Sequence, residues 1–131
     1  MFKPVTQSRA GKDGTCFRSC IASCFGLDEE DVPDWPRTNL DHGVTPWLQA
    51  NYGLRYVERP YNPANPPEGL HILCGTSPRG GQHAVVGKDG LFLWDPHPQD
   101  GTGRWLVDVS HYGEFLPAKS GLEKLPVRRP S

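Results

Sequence analysis

Apolar residues recur at three- and four-residue spacing through Phe17, Cys20, Ile21 and Cys24, the stripe of an amphipathic helix. Thr15, or Asp13 before it, is the expected cap, and Gly26 the expected terminator. The opposite face carries only Ser19, Ala22 and Ser23, so this helix is expected at the centre of the domain. Asp28 followed by Glu29, Glu30 and Asp31, and stopped by Pro33, predicts a short helical turn with acidic residues at its positive end. A loop with Trp35 and Pro36 follows. Thr45, Pro46 and Gly53 frame a second helix as cap, first helical residue and terminator.

Beyond Gly53 the pattern changes to strands. Leu54–Glu58 alternates, as a half-buried strand does. A proline-rich stretch over 59–69 predicts a loop. His71–Gly75 reads as a buried strand. His83–Gly87 and Leu91–Asp95 read as two strands of a hairpin turning at Lys88-Asp89-Gly90. Arg104–Asp108 and Tyr112–Leu116 are expected as edge strands. Helices first and antiparallel strands afterwards is an α+β order. The expected organisation is a single domain over 1–117 and a flexible tail over 118–131, where the chain turns polar and proline-rich.

Composition limits the functions available. The chain has 131 residues, 36% of them hydrophobic, with 15 glycines and 14 prolines, which predicts a small core wrapped in ordered loops. The net charge of −1 gives no electrostatic case for nucleic acid or an anionic membrane. No run is long enough to span a bilayer, and Met1–Gln7 lacks the apolar stretch of a signal peptide, so a cytoplasmic location is expected. Cys16, Cys20 and Cys24 lie four residues apart on one helix, a poor geometry for disulfides. All four cysteines, Cys74 included, are expected to be reduced.

Three residues then suggest a chemistry. Cys16 stands at the start of the first helix, His83 opens one strand of the hairpin and Asp95 closes the other. A thiol at a helix N-terminus meets unpaired N–H groups and about half a positive charge, and both favour the thiolate nucleophile. A turn centred on residues 88–90 sets His83 opposite Asp95, so the two side chains share a face.

In this order Cys16, His83 and Asp95 resemble the papain-like cysteine peptidase superfamily, especially small bacterial and phage domains similar to bacteriocin-leader peptidases. The resemblance implies a central N-terminal helix packed on a small antiparallel sheet. It implies a cysteine hydrolase acting on an amide or related acyl bond of a peptide or protein substrate, without a cofactor. It makes Cys16 the nucleophile, His83 the general acid/base, Asp95 the orienter and Gln7 an oxyanion-hole side chain. Gln7 stands nine residues before Cys16, with Gly11 and Gly14 between. The alternative is a catalytically inactive fold of the same kind that binds a protein or ligand.

Each candidate has a plainer role. Cys16 taken alone fits a buried structural thiol; the glycines before the helix and the His–Asp pair shift the reading to catalysis. Cys20, Cys24 and Cys74 read as core. His97 is a rival base; His42, His71 and His111 have no convincing partner in the sequence. Ser77 and Arg79 lie just before His83 and are candidates to line the cleft, Arg79 through its affinity for carboxylates. Trp94 is the residue placed to shield the His–Asp pair. Zinc on Cys16, Cys20, His83 and Asp95 is disfavoured, because the cysteine spacing is not that of a zinc site, and no metal is expected.

Overall fold

The computed structural model describes residues 2–8, 15–34, 40–78, 80–97 and 106–118. It is an α+β fold: helices α1 (Cys16–Phe25) and α2 (Leu40–Tyr52) and strands β1 (Leu54–Pro60), β2 (Leu70–Thr76), β3 (Gln82–Lys88), β4 (Leu91–Trp94) and β5 (Asp108–Pro117). The sheet order is β1-β5-β2-β3-β4, and β2 pairs antiparallel with both β3 and β5. The described residues fall into two compact units, drawn from Met1–Asp34 with Glu58–Gly113 and from Trp35–Val57 with Glu114–Ser131.

In the first unit α1 is buried along Ser19–Cys24 and packs on β3 and β2, as the small and apolar residues of that stretch predict. It ends as expected at Gly26, in the left-handed conformation, with the Leu27 N–H returning 2.9 Å to the Ala22 carbonyl. Its start differs from expectation. Thr15 occupies the capping position but makes no side-chain capping bond. Its hydroxyl instead accepts the Ser8 N–H at 3.2 Å. Asp13, the other expected cap, lies outside the described residues, as does the loop at Trp35 and Pro36. The acidic turn is a single 3-10 turn, Glu29–Asp31, with the Asp28 N–H donating to the Asp31 carboxylate at 3.0 Å.

The centre of the sheet is buried on both faces. Ala84–Gly87 is continuously buried. Leu73 stands opposite Val85 on one side and Tyr112 on the other, and these three with Leu106 form a core cluster closed by Tyr61 and Val109. His71 is fully buried; its Nδ1–H donates to the Gly69 carbonyl at 2.9 Å, a core role. The β3–β4 hairpin turns through two residues, Asp89 and Gly90, both at positive φ (55° and 86°). That is the mirror-image turn whose twist matches a hairpin, shorter by one residue than the expected Lys88-Asp89-Gly90.

One strand expectation is corrected. Tyr112–Leu116 belongs to one long strand, β5, which lies between β1 and β2 rather than at an edge. Local pattern does not reveal this, because the partners are distant in sequence. Arg104 and Trp105 lie outside the described residues, as do residues 119–131 of the expected tail.

In the second unit α2 begins at Leu40, so Pro46 is inside the helix and not at its first position. A proline there forfeits one backbone bond and usually bends a helix. Thr45 is likewise not a cap: its hydroxyl accepts the Tyr56 N–H at 3.2 Å. Val44 and Leu48 are fully buried, and Tyr56 packs against Phe115.

Gly75 lies where β5 slips register against β2. A Cβ at this position would collide with the backbone carbonyl of Asp108, and backbone in a sheet yields little. Gly75→Ala is expected to destabilise the fold by roughly 1–3 kcal/mol, read as a lower urea midpoint with an unchanged slope.

Candidate active site

The first unit gathers the predicted triad. The His83 ring donates through Nε2 to Asp95 Oδ1 at 2.7 Å, and the nearby Cys16 thiol helps hold the proton on the same ring. Cys16 is half-buried as the first residue of α1. His83 is 6% exposed and the Asp95 side chain 14%, a setting dry enough to strengthen every charge within it.

The register that brings His83 and Asp95 together is not the expected one. Lys88 faces Leu91 and Gly87 faces Phe92, but a bulge between Val86 and Gly87 then sets Val86 opposite Trp94. Strand β4 ends there, so Asp95 lies beyond the ladder, and His83 is paired with Gly75 of β2 instead. Extending the bulged register sets Asp95 beside Val85, two residues from His83. An even offset returns to the same side of a strand, so the slip preserves the meeting that the simpler register predicts. The rival base is excluded from this position: His97 gives Asp95 Oδ1 its backbone N–H at 2.9 Å, while its ring stands edge-on to that of His83, centroids 6.1 Å apart.

Gln7 is buried, 4% exposed, and the backbone on either side of its side chain explains where it sits. Its N–H donates to the Pro96 carbonyl at 2.7 Å, next to Asp95. The following N–H, of Ser8, reaches Thr15, next to Cys16. Residues 7 and 8 thus bridge the neighbours of Cys16 and of Asp95. Trp94 reinforces the bridge, its indole N–H donating to the Val5 carbonyl at 2.9 Å. Ser77 is buried in the connection that delivers His83, its N–H bonded to the Gly81 carbonyl at 2.8 Å. Arg79 lies outside the described residues.

One contributor was not anticipated. Glu29 was expected merely to favour a helix end, yet it is only 9% exposed. Its carboxylate accepts the Ser8 N–H and the Ser8 hydroxyl, each at 2.9 Å, and Arg18 stands 3.7 Å away. No local motif marks this role; a glutamate in the first turn of a helix reads as a solvated charge until the distant Ser8 is placed against it.

The cysteines separate into two kinds. None of the four is in a disulfide. Burial pushes Cys24 up to about 12, and burial, aided by the neighbouring thiols and Asp95, raises Cys20 well above its ordinary value; both stay protonated at neutral pH. For His83, burial disfavours the imidazolium, but the hydrogen bonds to Asp95 and Cys16 and the charges of both favour it and prevail, raising it from 6.5 to about 9. An imidazolium that survives neutral pH is the counter-ion a thiolate needs.

Compared with protein-family models, curated proteins and solved structures, the chain matches none.

Because the folded chain holds the His83 proton more tightly than the unfolded chain, the stability this group contributes is complete below pH 6.5 and is lost as pH rises to about 9. Relative to His83→Gln, the unfolding free energy is expected to fall by on the order of 3 kcal/mol across that window. Asp95→Asn should remove a large part of the dependence. Urea unfolding at a series of pH values measures both.

Proposed function

We propose that the protein is a thiol hydrolase of papain-like kind, cleaving an amide or related acyl bond in a peptide or protein substrate. One observation carries the reading: a buried imidazole is bonded to Asp95 through Nε2, and the thiol at the start of α1 lies near enough to help hold its proton. Sulfur, ring and carboxylate in that sequence are the parts of an activated nucleophile, its acid/base and its orienter. The α+β order, the central first helix and the antiparallel sheet support the same reading.

In the proposed reaction the Cys16 thiolate adds to the carbonyl carbon, and the carbonyl π electrons move to oxygen. The oxyanion is received by the Cys16 backbone N–H and the Gln7 side-chain amide, one such donor being worth roughly 3 kcal/mol in the transition state. The oxyanion collapses, the bond to nitrogen breaks, and the His83 imidazolium protonates the leaving amine. The neutral His83 then takes a proton from water, the resulting hydroxide equivalent attacks the thioester, and the acid leaves as thiolate and imidazolium are restored. Asp95 keeps the ring in one orientation throughout. No cofactor enters these steps. Among the described residues no helix is long and apolar enough to cross a membrane, and a cytoplasmic site of action belongs to the same proposal.

Iodoacetamide at neutral pH is expected to alkylate Cys16 about tenfold or more faster than any other cysteine, with Cys20 and Cys24 protected by burial; peptide mapping of a time course reads the four rates. Equal, slow labelling of all four would overturn the reading. A vinyl-sulfone or activated acyl probe should add one adduct to the intact mass, and Cys16→Ser should abolish it. Gln7→Ala is expected to slow turnover of an activated acyl ester by roughly 10²–10³-fold while leaving the alkylation rate of Cys16 nearly unchanged, because only the oxyanion, not the thiolate, loses a partner.

A further inference from the structure

A second group of chemistry-bearing side chains lies in the first unit and takes no part in the proposed hydrolysis. Glu58 of β1, Cys74 of β2 and His111 of β5 each offer one ligand atom, and those atoms all lie within 4.8 Å of one another. The sheet order makes the meeting possible: β5 lies between β1 and β2, and Cys74 and His111 are direct partners across the ladder. The hydrolase triad has the opposite character. There the ring of His83 and the carboxylate of Asp95 are already bonded to each other at 2.7 Å. Here thiol, imidazole and carboxylate converge on a point.

The local backbone contributes a second, independent observation. Cys74 is opposite His111, but the next residue, Gly75, is opposite Val109, so Ser110 is the extra residue of a bulge. Adjacent side chains of a regular strand point to opposite faces; a bulge re-aims one of them. Ser110 Oγ thereby reaches His111 Nδ1 at 2.9 Å and also the Cys74 carbonyl at 3.3 Å. A hydroxyl has one proton, and a carbonyl can only accept it. The Ser110 hydroxyl therefore donates to Cys74 and accepts from the His111 Nδ1–H. That fixes the tautomer in which Nε2 carries the lone pair, and Nε2 stands 3.8 Å from Glu58 Oε2. A ligating histidine held through its other nitrogen is the usual arrangement around a metal.

The geometry points to a zinc-class cation site formed by Glu58, Cys74 and His111. A borderline ion takes a thiolate, an imidazole and a carboxylate together, whereas calcium or magnesium prefers oxygen alone. Ligand bonds of about 2.0–2.3 Å at tetrahedral angles separate donors by about 3.3–3.6 Å, so closing on an ion needs only small side-chain adjustments. The trio is half-exposed, which leaves the fourth position to water. Cys74 and Gly75 face opposite sides of the sheet, and Gly75 is the partner of His83. The cation therefore binds on the other face from the acid/base, as a site separate from the thiol of Cys16. Residues 58, 74 and 111 are far apart in the chain, so the unfolded state has no such site, and binding stabilises the fold.

The test uses the full chain carrying Cys16→Ala, which removes the competing thiol. Zinc chloride titrated against a chromophoric chelator is expected to fill one site per chain and to raise the melting midpoint. Cobalt should produce thiolate-to-metal charge-transfer absorption in the near ultraviolet. Cys74→Ser should abolish that band, and His111→Gln and Glu58→Gln should each weaken zinc at least tenfold. Both of the latter side chains are over one-third exposed, so these variants can fold normally, and far-ultraviolet circular dichroism verifies it. The proposal is overturned if the Cys16→Ala chain binds no zinc, or if Cys74→Ser, His111→Gln and Glu58→Gln bind it as well as the parent. It is equally overturned if His111→Gln destabilises the metal-free chain while zinc leaves every variant unmoved, the behaviour of a plain ion pair.

Discussion

The bond from His83 Nε2 to Asp95 Oδ1, 2.7 Å long between two mostly buried groups, is the constraint on which the site depends. It commits one ring nitrogen to a carboxylate. It also offsets the cost of burying a histidine: desolvation alone would strip the proton from the ring, and the partnership with Asp95 and Cys16 keeps it instead. The same Oδ1 takes the His97 N–H at 2.9 Å, so the turn after β4 is locked by the atom that holds the His83 ring. A carboxylate with two donors on one oxygen has little freedom to swing away.

Much of this was legible in the chain because it depends on local rules. The stripe on α1, its glycine terminator, the alternation in β1 and the Asp-Gly turn each follow from side-chain spacing or backbone stereochemistry. Cys16, His83 and Asp95 could be chosen because a thiol at a helix start and a hairpin carrying both other groups are short-range patterns. What could not be read was decided by partners far away. Thr15 and Thr45 look like caps, yet each hydroxyl serves a backbone N–H of another segment, Ser8 and Tyr56. Pro46 looks like the first residue of a helix and is inside one. Tyr112–Leu116 looks like an edge and lies in the interior of the sheet. The His83–Asp95 register was mistaken in detail because a bulge has no signature in a run of Val86 and Gly87, and it was right in consequence because the slip preserves the side of the strand.

Burial sorts the cysteines by function more than their spacing does. Cys16, Cys20 and Cys24 repeat at one helical interval and share a helix, but only the first stands at the terminus where the backbone is positive. The other two lie deeper along the same axis, where burial holds the proton on sulfur. One helix thus contains a half-buried thiol at its start and two buried ones held protonated, and position in the fold makes the difference.

The segment from Phe2 to Ser8 shows how the site is assembled. It forms no helix or strand, so ordering it costs about 1–2 kcal/mol per residue of backbone entropy with no ladder to offset it. Its bonds alternate between two anchors. Lys3 and Val5 donate to the carbonyl and hydroxyl of Ser23 on α1, Gln7 to Pro96, and Ser8 to Thr15 and Glu29. Trp94 meets the same strip of chain from the sheet side. These bonds would be redundant if α1 and the hairpin were held together by apolar packing alone. Their placement makes sense when the separation that must be fixed is the one between the residue before Cys16 and the residue after Asp95. The side chain enclosed at that point is Gln7, 4% exposed.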